Sequence, residues 1–150
     1  ILFMDGATKT FAIPVVIPSS AFGKLDISFE HLSSTTRKDV VVDYKLKGSR
    51  RKRYYTISDN IPFQIGEEIV YSEYGFLDEE PESFALVYEL NDGQTGSNIL
   101  VYEGILPQAQ FDSQKDSYSA NPEIESTGKL LRKWYFHPTM RKYFMRKDEL

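Results

Sequence analysis

Between Tyr54 and Gln114 the chain carries twelve carboxylates and no lysine or arginine, while the remainder holds all 18 basic residues and only 10 acidic ones. Any fold must set that acidic middle against a basic surface or suffer its self-repulsion. The surface is either the chain's own flanks or those of a neighbouring copy, and the sequence reading favours the neighbour. Arg50, Arg51, Lys52 and Arg53 of one subunit would then face Glu79, Glu80 and Glu82 of another. Such pairing steers association and fixes register more than it adds affinity. The pattern points to assembly rather than catalysis.

The 150 residues allow a single domain, 1–150, with one real core. An aromatic content of 14% separates the chain from disordered sequences of similar charge. A net charge of −4 argues against a nucleic-acid binder of the basic-patch kind. No apolar run approaches the roughly 20 residues that span a bilayer, so no membrane partner is expected. Without cysteine there is no disulfide framework, no thiolate-bound zinc and no cysteine nucleophile. The first residue is Ile, which leaves room for a preceding N-terminal piece. The closing Lys147, Asp148, Glu149 and Leu150 match a retention signal of the endoplasmic reticulum, a match read here as chance.

The local pattern is mainly β. Residues 10–17 are rich in β-branched and aromatic types, with Pro14 confining them to an edge. Residues 24–30 alternate, placing Leu25, Ile27 and Phe29 on one face. Residues 84–90 and 98–106 are apolar arms around Asp92-Gly93, the clearest hairpin in the chain. Residues 129–136 and 141–145 complete the strands. Residues 48–53 read as a basic turn, and 112–128 as a long polar loop. Residues 36–46 satisfy two patterns. Val40, Val42, Tyr44 and Leu46 alternate as in a strand, whereas Thr36 and Asp39 loosely frame a helix cap and Gly48 would end a helix.

Catalytic chemistry is poorly served. His31 and His137 are the only imidazoles and stand in no metal-binding motif. There is no nucleophile elbow, phosphate-binding glycine loop or dinucleotide fingerprint, so neither cofactor nor metal nor enzymatic activity is expected. An alternative function is a soluble β-sandwich binding module for carbohydrate or protein. Its platform would use Trp134, Tyr135, Phe136, Tyr143 and Phe144. Strand alternation sets Trp134 and Phe136 on one side, which favours the core.

Ala85-Leu86-Val87-Tyr88, the Asp92-Gly93 turn and the return ending Tyr102-Glu103-Gly104-Ile105 precede a polar run at 110–118 and a closing Thr127-Gly128-Lys129-Leu130. In that order they resemble the second half of the major tail protein of long-tailed bacteriophages, the subunit of the tail tube. The resemblance covers about a third of the chain. It implies an antiparallel β-sandwich or barrel-like domain with one short packed helix, which favours a helix at 36–46. It also implies self-association into hexameric rings, stacked with other tail proteins in a virion assembled in the host cytoplasm. DNA would pass through the lumen without specific binding. A negative wall lets phosphates slide, and Glu67, Glu68 and Glu73 are the candidate lumen residues.

Overall fold

A computed structural model describes residues 1–19, 25–72, 81–90, 96–106 and 123–145. Among these residues the chain holds strands, turns and irregular segments, without a helix. Eight antiparallel strands form one open sheet in sequential order. They are β1 (Asp26–Glu30), β2 (Asp39–Leu46), β3 (Ser49–Ser58), β4 (Ile61–Ser72), β5 (Glu82–Leu90), β6 (Ser97–Ile105), β7 (Glu125–His137) and β8 (Lys142–Met145). Among the described residues the ladder between β4 and β5 holds Tyr71 opposite Ser83 and Ser72 opposite Glu82. That narrow seam divides the sheet into a β1–β4 half and a β5–β8 half.

Both halves contribute to one apolar cluster. Val41, Tyr54 and Ile65 of the first half meet Ile99, Val101 and Tyr143 of the second, with Leu32 from the β1–β2 connection. Trp134 and Phe136 pack against this cluster, as their alternation implied. The Tyr143 hydroxyl lies between the carbonyls of Leu32 (3.0 Å) and Ser97 (2.8 Å), and Ser97 N donates to Leu32 O at 2.9 Å. These bonds satisfy buried backbone groups where the two halves meet. A second cluster lies on the opposite face of β2 and β3. There Val40, Val42, Tyr44 and Tyr55 are covered by Phe3, Val15 and Ile17 of the N-terminal arm.

The helix expected at 36–46 is replaced by β2. Val41 enters one cluster while Val40, Val42 and Tyr44 enter the other, so both faces of the segment are buried. Three consecutive β-branched residues suit a strand covered on both sides better than a helix. Asp39 does not cap a helix; it accepts hydrogen bonds from Ser33 N and Ser33 Oγ. Residues 50–53 are likewise no turn. They lie in β3, and the connection is only Lys47 and Gly48, with Lys47 at φ 52°.

The strand expected at 10–17 is an arm holding a single bridge, Met4 to Phe11. The expected hairpin holds as a ladder from Phe84 opposite Glu103 to Leu90 opposite Ser97, and its Asp92-Gly93 turn lies outside the described residues. Of the expected loop at 112–128, residues 112–122 lie outside the described residues. Glu125 to Gly128 instead open β7.

Candidate functional site

The basic run of β3 alternates in direction because strand residues point to opposite faces. Arg50 and Lys52 share the face of Asp43. Arg50 grips that carboxylate in two places, Nε at 2.9 Å and Nη2 at 2.7 Å. Burial pushes the Lys52 ammonium below the usual lysine value, partly opposed by Asp43. Arg51 and Arg53 point the other way and converge on Glu67. Arg51 Nη1 donates to Oε1 at 3.1 Å, Arg53 Nε donates to Oε2 at 2.7 Å, and the Tyr44 hydroxyl donates to Oε1 at 3.0 Å. Burial raises the Glu67 carboxyl, but the hydrogen bonds from Arg51, Arg53 and Tyr44 outweigh it and hold the group below its free value. The Tyr44 phenol is pushed up to about 12, by burial first and then by Glu67.

Glu68 turns into the shared cluster. Its carboxylate takes Arg132 Nη2 at 3.0 Å and Trp134 Nε1 at 2.6 Å, both from β7, and Ile69 N at 3.0 Å. A cavity of about 210 Å³ beside it is lined by Tyr54, Gly66, Ile99, Trp134 and Tyr143. Two bulges bracket this segment, because Ile65 and Val70 of β4 have no residue opposite them on β3. Each bulge sends an extra side chain into the interior and bends the strand.

The acidic middle thus meets the chain's own basic flanks at Glu67 and Glu68. Glu68 is buried, which places it away from the lumen role expected for it, and Glu67 is engaged by two arginines. Arg50, Arg51, Lys52 and Arg53, expected at a subunit contact, are occupied or half-buried within the chain. Glu82 is exposed at the start of β5. Glu73, Glu79 and Glu80 lie outside the described residues.

Two surface features stand apart from this charge layer. The first is apolar. Met4 bridges Phe11, so Leu2, Met4, Phe11 and Ile13 share one exposed face of the arm, with Phe11 61% and Ile13 78% accessible. On β1, an end strand of the sheet, Ile27 and Phe29 are 47% and 57% accessible. At the other end, β8 exposes Phe144 and Met145. Among the described residues neither end strand pairs on its outer side.

The second is a polar cleft of about 410 Å³, built from three segments distant in sequence. Ser33, Ser34, Thr35 and Arg37 come from the β1–β2 connection, Thr56 and Ser58 from the end of β3, Phe136 from the end of β7, and Pro138 and Arg141 from the β7–β8 turn. Local sequence reading missed it, because no two of these segments are neighbours in the chain. The histidines serve local structure: His31 Nδ1 lies 3.3 Å from Ser34 O, and His137 Nδ1 accepts from Met140 N at 3.3 Å. The aromatic platform of the binding-module alternative is largely spent, since Trp134 and Phe136 pack inward. Compared with known proteins, the chain matches no family model, no curated protein and no solved structure.

Proposed function

We propose that the chain is a non-enzymatic assembly subunit of sandwich-like or barrel-like build. Its copies join edge to edge into rings, and the rings stack into the DNA-conducting tube of a phage tail. The observation that carries this reading is the exposed apolar surface of the arm, at Leu2, Met4, Phe11 and Ile13, and of the end strand β1, at Ile27 and Phe29. An end strand offers a row of backbone donors and acceptors to another chain, and exposed apolar patches mark contact surfaces. The second end strand, β8, lies at the opposite end of the strand order. Joining unlike edges is a head-to-tail contact, which gives a closed ring when the rotation closes.

The internal neutralisation of Glu67 and Glu68 shifts the assembly contact from charge to apolar edges. Negative-stain electron microscopy across protein concentration and salt tests the proposal. The expected result is rings or short tubes with an open channel for the wild type, and dispersed monomers of unchanged circular dichroism for Phe29→Lys. Wild-type protein that stays monomeric at every concentration would overturn it.

A further inference from the structure

The six arginines among the described residues fall into two groups. Arg50, Arg51, Arg53 and Arg132 each meet a carboxylate at 3.1 Å or closer. Arg37 and Arg141 meet none among the described residues, and both border the polar cleft. Their positions are set by neutral partners. Arg37 Nη2 donates to Thr56 Oγ1 at 3.0 Å, and the Arg141 guanidinium lies 5.3 Å from the centre of the Phe63 ring. Each retains several N–H groups for another acceptor.

The remaining lining suits the same acceptor. Ser34, Thr35 and Thr56 bring hydroxyls, while Phe136 and Pro138 form an apolar wall. Two carboxylates among the described residues bond to residues of the lining, and each is thereby partnered. Asp39 beneath the cleft accepts from Ser33 N and Ser33 Oγ, and Asp59 at the hairpin turn accepts from Ser58 Oγ at 3.4 Å. Two guanidinium groups and a ring of hydroxyls are the chemistry that holds a tetrahedral dianion. The volume falls within the range of small-molecule sites, larger than a bare anion needs.

We infer that this cleft binds a phosphate group, either free or carried as a monoester on a small molecule whose organic part rests against Phe136. Arg37 and Arg141 clamp the oxyanion from opposite chain segments, and the hydroxyls fill its remaining acceptor positions. The inference is independent of ring assembly, since none of the six apolar residues invoked there lines the cleft.

A thermal-shift titration at constant ionic strength tests it, with inorganic phosphate and phenyl phosphate as the two probes and sodium chloride as the balancing salt. Ligand that binds only the folded state raises the melting temperature along a saturable curve. Arg37→Gln and Arg141→Gln are expected to weaken the apparent affinity about tenfold each, the loss of one charge-assisted contact. Lys129→Gln, an exposed change outside the cleft, is expected to bind as the wild type. Tighter binding of phenyl phosphate assigns an ester and equal binding assigns free phosphate; both uphold the site. Phosphate also stabilises proteins generally through surface exclusion. An unsaturable rise shared by wild type and both arginine variants would therefore overturn the inference.

Discussion

Glu67 and Glu68 are consecutive residues of β4 with opposite tasks. Glu67 lies on the face covered by the N-terminal arm and gathers Arg51 and Arg53 from the adjacent strand and Tyr44 from the next one over. All of its partners belong to the β1–β4 half. Glu68 lies on the inner face and reaches Arg132 and Trp134 of β7, across to the other half. One carboxylate ties strands that already share a long ladder; the other ties halves whose ladder, among the described residues, is two residue pairs long. The same chemistry therefore carries different structural weight, according to whether the backbone already makes the connection.

Removal of the Glu68 carboxylate is the most damaging test of that difference. Glu68→Ala leaves the Arg132 guanidinium and the Trp134 indole N–H facing an apolar cluster without their acceptor. Taking one partner from a buried pair costs about 3 kcal/mol, because the survivor keeps its desolvation penalty. Urea denaturation followed by Trp134 fluorescence should show a midpoint lowered accordingly. It should also show separation of the halves, as a second transition or a reduced slope. A single transition with wild-type midpoint would mean that the apolar cluster alone joins the halves.

Glu67→Gln sharpens the comparison from the other side. Glutamine keeps the shape and an acceptor, so the loss at neutral pH is about 1 kcal/mol, with one cooperative transition retained. The pH dependence carries the sign. The folded carboxyl titrates below its free value of 4.5, so the unfolded state takes up the proton first as pH falls. Its contribution is complete above the unfolded value and is lost as pH drops through the folded one. Wild type and Glu67→Gln should therefore differ at pH 7 and converge below pH 4.5. A gap that persists in acid would assign the effect to packing rather than charge.

The sequence was most legible where apolar runs and turn chemistry agree. Residues 84–90 and 98–106 are apolar arms around Asp92-Gly93, and they pair as β5 and β6. It was least legible at β3 and β4, which run where the charge pattern suggested a basic turn and an acidic surface. Four cations in a row look solvated until the partner strand is known, and antiparallel pairing sets Arg53 opposite Glu67 and Lys52 opposite Glu68. The available clue was Asp59-Asn60. Both residues adopt positive φ, 52° and 59°, as a two-residue hairpin turn of type I′ requires. The long-range clamp of Glu68 and the three-segment cleft had no local signature, since each depends on which distant strands face one another. Likewise Ile27 and Phe29 share a face as expected, but that face is open at the sheet's end rather than covered.

The weakest effect is expected at Glu103 and Lys129, the same type of ion pair placed in water. Lys129 Nζ donates to Glu103 Oε1 at 3.1 Å, and Thr127 Oγ1 donates to Oε2 at 3.1 Å. Hydrogen bonds from Lys129 and Thr127 hold the carboxyl below its usual value, yet both charged side chains are well exposed. Solvent and salt screen such pairs, and holding two long side chains in one geometry offsets most of the attraction. The pair also joins β6 and β7, strands that already share a long ladder. Glu103→Gln should leave the urea midpoint indistinguishable from the wild type at physiological salt, with any loss appearing only at low ionic strength. If Glu103→Gln proved as costly as Glu67→Gln, burial would not be what separates these carboxylates. The ranking of Glu68 over Glu67 would then need another cause.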